Sequence, residues 1–192
     1  VSITADADVE AAVQVSIAAT VQECTINVTV QDGARLTILC TQPIDGHQIS
    51  IRQRSQVGAG AKLHWQNITL GNQIEQDLIS EVVGDHGEST VDWVFYAHQQ
   101  EQQKLSARNV YSARAGGGEI TMKGVAEHQA HVVCNGMIDI GLKGGETDAY
   151  LTEDVLMLDA SAKVDAIPGL EIKTNDVKAS HSATVSQVTD ED

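Results

Sequence analysis

The chain has 192 residues and a formal net charge of −15, and 42% of its residues are hydrophobic. This hydrophobic content predicts a folded globular protein that is long enough to bury a core of its own. The excess of acidic residues disfavours nucleic acid and anionic membrane surfaces as partners, because both are bound through Lys and Arg side chains.

Cysteine usage predicts an intracellular, cytoplasmic protein. The three cysteines are Cys24, Cys40 and Cys134, an odd number without a C-x-x-C spacing. A disulfide framework is therefore disfavoured, and free thiols are expected. No apolar run reaches the roughly 20 residues that cross a bilayer. No signal peptide is visible, but the chain begins at Val1 rather than Met, so an upstream segment is not excluded.

Repeated units of strand, glycine turn and strand follow one another along the chain. The segments "DGARLTIL", "AGAKLHWQ" and "HGESTVDW" align on Gly33, Gly60 and Gly87, which are spaced 27 residues apart. Gly118 and Gly145 show the same interval. Glycine accepts the positive φ of tight turns, and the Val-, Ile- and Thr-rich flanks favour strands.

The near-constant period predicts a parallel β-helix, in which each coil buries its apolar side against its neighbours. A β-sandwich of hairpins is the alternative. The segment 97–110 has a helix-forming composition but almost no apolar stripe, so it is predicted to connect strands rather than to form a helix. Two strands around "TND" predict an edge hairpin at the C-terminus. The acidic end "VTDED" is typical of the first turn of a helix.

The segment "DVKASHSATV" places a histidine on the apolar face of a predicted strand. Its period of two puts alternate residues on one side, namely Val177, Ala179, His181, Ala183 and Val185. A histidine in such a position is most often a core residue with a hydrogen-bonded ring. The alternative is that this face is covered by another subunit, which would place His181 at an interface.

Two cysteines are candidates for chemistry. Cys40 follows a strand and precedes a Pro-Asp-Gly turn, where a partner could reach its thiol; the alternative is a small buried hydrophobic residue. Cys134 is preceded by His128 and His131 at a spacing that would suit zinc on a helix. The surrounding sequence predicts a strand, on which His131 and Cys134 point to opposite faces. A zinc site is therefore disfavoured, and Cys24 is interpreted as structural.

Signatures of the common enzyme classes are missing. The sequence contains no G-x-S-x-G elbow, P-loop or dinucleotide-binding glycine motif. A β-helix enzyme acting on carbohydrate would need paired carboxylates and aromatic platforms, and only 3% of the residues are aromatic. A structural β-solenoid that dimerises through its edge is a further interpretation.

The C-terminal segment "DAIPGLEIKTNDVKASHSATV" closely resembles the end of the core domain in SufB and SufD, the scaffold subunits of the SUF machinery for iron–sulfur cluster assembly. "CNGMIDIG", which contains Cys134, resembles the SufB segment with a cluster-linked cysteine. "CTQP…H…GAKLHWQN" resembles the SufB segment whose cysteine accepts sulfur, and the matching residues are Cys40, Thr41, Pro43 and His47.

The resemblance implies a right-handed parallel β-helix and a non-enzymatic scaffold. Cys40 would accept sulfur as a persulfide from a donor protein, and Cys134 and His181 would hold a transient iron–sulfur cluster. A SufC-type ATPase would be the partner. In the family the cysteine belongs to SufB and the histidine to SufD, whereas both occur in this chain. A homodimer with two equivalent sites is therefore expected.

Some family residues are replaced in this chain. Ala179 stands where the family strand has a cysteine, and Ser180 and Ser182 flank His181 where SufB has glutamates. This leaves few ligands, as expected for a cluster that is held weakly and passed on. The helical segments that flank the family's core domain are absent from residues 1–192, which we interpret as a single domain. The sequence leaves open whether a flavin also binds.

Overall fold

The computed structural model describes residues 1–18, 20–42, 48–71 and 73–188. Within these ranges the chain forms strands and turns and contains no helix, and hence no helix that could cross a membrane. Pro43, His47 and the acidic end at 189–192 lie outside the described residues. The strands are β1 (Ser2–Ala5), β2 (Glu10–Ser16), β3 (Glu23–Val30), β4 (Arg35–Thr41), β5 (Gln48–Val57), β6 (Lys62–Leu70), β7 (Gln73–Val82), β8 (Glu88–Ala97), β9 (Gln102–Tyr111), β10 (Gly117–Ala126), β11 (His131–Ile140), β12 (Thr147–Met157), β13 (Lys163–Ala166), β14 (Gly169–Ile172) and β15 (Val177–Gln187).

The strands form two parallel sheets. The first sheet has the order β1-β3-β5-β7-β9-β11-β13, with β14 also pairing with β11. The second has the order β15-β12-β10-β8-β6-β4-β2. Up to β13 the chain alternates between the sheets, and every strand pair among the described residues is parallel. The predicted β-solenoid is confirmed, and a sandwich of hairpins, which needs antiparallel pairs, is excluded.

The core lies between the two sheets, where alternate residues of each strand point inward. The residues at these positions are mainly Ala, Val, Ile and Leu, as the low aromatic content predicts. The few large aromatic residues are nevertheless concentrated there: Trp65, Trp93, Phe95 and Tyr111 are all fully buried. The segment 97–110 contains a turn followed by β9, so the prediction that it is not a helix is confirmed.

Turns at one corner of the solenoid stack on each other through a residue with positive φ. Gly33 and Gly60 occupy this position in two consecutive coils, at φ 73° and 61°, as the 27-residue repeat predicts. In the next coil His86 takes the position, at φ 59°, so Gly87 is not equivalent to the two earlier glycines. Nor are Gly118 and Gly145 equivalent, because Gly118 pairs with Ala149 in the adjacent coil. The repeat length therefore varies between coils.

A polar strip interrupts the apolar interior near the middle of the solenoid. The Nε2 atom of Gln53 donates to Oδ1 of Asn67 at 2.9 Å, and Nε2 of Gln76 donates to Oε1 of Gln53 at 2.9 Å. Thr69 donates to Gln76 and accepts from the Nε1–H of Trp93. All these side chains are buried, so their mutual hydrogen bonds remove the cost of burying them.

The C-terminal end differs in detail from the predicted hairpin. The two strands around "TND" are β14 and β15, but β14 pairs with β11 and β15 pairs with β12, both in parallel. They therefore belong to different sheets and do not pair with each other. The physical reason is that the corner turn carries the chain from one sheet to the other, as at earlier corners. β15 remains an edge strand, as predicted.

Candidate functional site

The end of the solenoid at β15 exposes a face that would be interior in any other coil. His181 pairs in register with Leu151 of β12, which is buried. Residues paired in register on parallel strands share a face, so the His181 side of β15 continues the core face of the second sheet. His181 is exposed, because no further strand covers it within the described residues. The predicted alternation is confirmed, but this histidine is not a core residue.

Cys134 lies one coil further in, on the first sheet. It is fully buried on β11 and points into the space between the sheets. Its neighbour toward the open end is Ala166 of β13, which is only partly buried. A single alanine therefore separates Cys134 from the end of the first sheet.

Glu153 is a buried carboxylate that the sequence interpretation missed. It lies on β12 in the second sheet and is 0% exposed. Its Oε1 atom accepts a hydrogen bond from the backbone N–H of Gly136 at 2.6 Å, whereas Oε2 has no hydrogen-bond partner among the described residues. Gly136 lies two residues beyond Cys134 on the same face of β11. The carboxylate and the thiol therefore occupy the same part of the interior.

An interruption in the first sheet explains why Glu153 can accept this hydrogen bond. The pairing of β11 with the next coil stops at Ala166 and resumes at Gly169. Pro168 lies in the gap, and proline in sheets is confined to edges and interruptions of this kind. Gly136 also leaves room for the carboxylate, because a Cβ at this position would lie 2.9 Å from Oε1 of Glu153.

The two buried groups affect each other electrostatically. Burial raises the pKa of the Cys134 thiol, and the nearby charge of Glu153 raises it further. Burial also raises the pKa of Glu153 to about 7, although the hydrogen bond from the amide of Gly136 and the nearby amide of Ile167, which itself donates to the carbonyl oxygen of Cys134, partly offset this effect. The site therefore favours a protonated thiol until a cation or another reactant replaces its proton.

The raised pKa of Glu153 predicts a pH-dependent stability. Between pH 4.5 and 7 the unfolded chain loses this proton while the folded chain keeps it, so the free energy of unfolding should fall as the pH rises. The expected loss from this group is about 2 kcal/mol between pH 5 and pH 7. Denaturant unfolding of the wild type and of Glu153→Gln at pH 5 and pH 7 isolates the contribution of this carboxylate to stability, because the variant lacks the titrating group. An identical pH dependence in the two proteins would contradict the assignment.

Cys40 is not at an accessible strand end, contrary to the prediction. β4 continues to Thr41, and Cys40 points inward from it with 0% exposure. Burial raises the pKa of its thiol to about 12, with a further contribution from Cys24. The alternative interpretation, a small buried hydrophobic residue, matches this environment. Cys24 is partly exposed at the start of β3 and lies on the same face as the buried residues of that strand.

The three residues that suggested zinc do not converge. His131 points outward from β11 and its Nε2 atom lies 3.0 Å from Oδ2 of Asp165, whereas Cys134 points inward. His128 lies in the preceding turn, where its ligand atom is within 4.8 Å of those of Glu127 and Asp159. Both carboxylates of this group already accept hydrogen bonds, from Tyr96 and from the backbone of His128.

Comparison with known sequences decides the family. The sequence model described as "SUF system FeS cluster assembly, SufBD core domain" matches residues 1–192. The chain belongs to the SufBD core-domain family. This membership agrees with the resemblance seen at the C-terminal strand and with the parallel β-solenoid.

Curated relatives of this SufBD core domain are named as components of iron–sulfur cluster assembly. SufD of Escherichia coli is 38% identical over 69 residues, covering 36% of the chain and 16% of the relative. SufD of Bacillus subtilis is 28% identical over 141 residues, which cover 71% of the chain and 32% of the relative. A SufBD family protein of Mycobacterium tuberculosis is 23% identical over 141 residues, which cover 73% of the chain and 17% of the relative. The chain thus spans about a third or less of the length of these relatives.

Proposed function

We propose that the chain is a scaffold for iron–sulfur cluster assembly that holds a nascent cluster at a subunit interface. Cys134 and His181 are the proposed ligands, since a thiolate suits iron and sulfide and an imidazole suits iron. The observation that carries the proposal is the uncovered core face of β15. On this face His181 is exposed, and at the same end of the solenoid a single residue, Ala166, separates Cys134 from the edge of the first sheet.

The proposed partner at this face is a second copy of the chain. An uncovered core face beside an unpaired strand edge favours pairing with another chain. A two-fold contact between two copies brings the same surfaces together twice, which gives two equivalent sites. His181 of each copy would approach Cys134 of the other. A SufC-type ATPase is proposed to act on this dimer, and no residue is assigned to a flavin.

Anaerobic reconstitution with ferrous iron and sulfide tests the proposed ligands. The wild type should gain visible absorption and bound iron, and Cys134→Ser and His181→Ala should each lose most of both, because a cluster with so few protein ligands does not tolerate losing one. Matched controls are Cys24→Ser, a thiol on β3, and His131→Ala, an outward-facing histidine on the same strand as Cys134. Both controls should take up cluster like the wild type. Equal uptake by all five proteins would refute the proposed site.

Receipt of sulfur is proposed at Cys40. The Cys40 thiolate would attack the outer sulfur of a donor persulfide, and the donor would leave as a thiolate. Because Cys40 is buried, a donor reaches it only when β4 opens locally, so transfer should be slow without a partner. Mass spectrometry after incubation with a sulfur-loaded donor should show one added sulfur on the peptide that contains Cys40. Labelling of the more exposed Cys24 instead would overturn this assignment.

A further inference from the structure

Cys134 and His181 leave the proposed cluster short of ligands. An iron or zinc ion bound to sulfur is usually four-coordinate, and this chain has alanine at position 179 and serines at 180 and 182 around its histidine. A further donor must therefore come from elsewhere in the chain, from a partner or from inorganic sulfide. The interior beside Cys134 contains such a donor.

Glu153 has a buried carboxylate oxygen that could act as such a donor. Oε1 of this side chain accepts a hydrogen bond from the N–H of Gly136, but Oε2 is buried and has no hydrogen-bond partner in the part of the chain that the structure describes. A buried carboxylate oxygen without a hydrogen bond is costly, so native structures rarely contain one without a functional reason. Gly136 shares a strand face with Cys134, and its amide donates to the Glu153 carboxylate. The carboxylate and the thiol therefore lie in the same part of the interior.

We propose that Glu153 supplies an oxygen ligand to the iron that Cys134 binds through sulfur. The inference rests on the proposed function, because it requires Cys134 to be a metal ligand. Thiolate and carboxylate together suit ferrous iron. In a buried space their negative charges repel each other, and a cation bound to both removes this repulsion.

Small side chains provide the route from the open end to this pair. Toward the end of the solenoid, Cys134 is followed by Ala166 and Glu153 by Ala183. Ala166 is partly exposed and Ala183 is exposed. The in-register neighbours of the two ligands at this end therefore present only methyl groups, and His181 of the partner copy would complete the site from the interface.

Anaerobic titration of the full chain with Co²⁺ measures this role apart from cluster assembly. Co²⁺ replaces ferrous iron, and a thiolate bound to it gives a charge-transfer band in the near ultraviolet. Glu153→Gln should weaken Co²⁺ binding at least about tenfold, since even residues that only support metal ligands contribute about 10- to 100-fold. Glutamine can still accept the hydrogen bond from Gly136, so a purely structural role would leave affinity unchanged.

Controls separate the possible results. Glu81→Gln changes a partly exposed glutamate of β7 that accepts a hydrogen bond from Ser112, and it should bind Co²⁺ like the wild type. Cys134→Ser should lose the charge-transfer band.

Three outcomes decide between the two proposals. If Cys134→Ser loses the band and Glu153→Gln binds Co²⁺ like the wild type, the role of Glu153 is wrong while the proposed function stands. If the wild type shows no band, both are wrong. If Glu153→Gln does not fold, Glu153→Ala replaces it, because it also lacks the carboxylate, and wild-type affinity in that variant overturns the role of Glu153.

Discussion

Gly118→Ala is expected to lower the free energy of unfolding by about 4 kcal/mol or more. Gly118 lies near the start of β10 at φ 146°, a conformation that residues with side chains rarely adopt. A Cβ at this position would lie 1.9 Å from the carbonyl oxygen of Ser89 and 2.7 Å from its carbonyl carbon. These atoms belong to the backbone of β8, which cannot move without disturbing the adjacent coils. Urea unfolding followed by circular dichroism measures the loss.

Gly145→Ala is the matched control for this substitution. A Cβ at Gly145 would meet no atom within 4 Å, and the residue does not have a positive φ. Its replacement should change the free energy of unfolding by less than about 0.5 kcal/mol. Equal stability of the two variants would contradict the close packing of successive coils at the start of β10.

Gln53→Ala should have the second largest effect, a loss of about 3 kcal/mol in the free energy of unfolding. Gln53 is fully buried, donates to Asn67 and accepts from Gln76. Its removal leaves those two side chains without these hydrogen bonds and creates a cavity between the sheets. Both effects lower the free energy of unfolding. The cavity removes packing contacts, and the buried polar groups lose the hydrogen bonds that offset their desolvation.

The control for Gln53 lies on the same strand. Gln56 is exposed on the outer face of β5, so Gln56→Ala should change stability by less than about 0.5 kcal/mol. Gln53→Leu refills most of the space but does not restore the hydrogen bonds. It should therefore recover only part of the loss, and full recovery would show that the polar strip contributes little.

The solenoid was predictable from sequence because its cause is local. Glycine-marked turns and alternating side chains repeat along the chain, and stacking follows from them. The exact coil boundaries were not predictable, because the left-handed turn position is also taken by His86, at φ 59°. Nothing in the composition distinguishes that histidine from its neighbours. The path of the last two strands was also missed, since a short turn such as "TND" fits a hairpin as well as a corner between sheets.

The candidate site was only partly predictable. The period of two identified the face on which His181 lies, and the same rule applied to β12 puts Glu153 in phase with Ala149, Leu151 and Val155. A signal for Glu153 was therefore present, but acidic residues are frequent in this chain and most are solvated. A signal for the burial of Cys40 was also present, because the residue is in phase with Leu36 and Ile38 on β4, whereas the prediction relied on its place near the strand end.

The central claim is that each site combines Cys134 of one copy with His181 of the other. Co-expression of Cys134→Ser and His181→Ala chains with different affinity tags, followed by tandem purification, yields the mixed dimer. One of its two sites then has both ligands and the other has neither. After anaerobic reconstitution we expect about half the wild-type iron and sulfide content per dimer, whereas dimers of either variant alone hold close to none. A mixed dimer as empty as its parents, or a chain that remains a monomer in solution, would contradict the shared site.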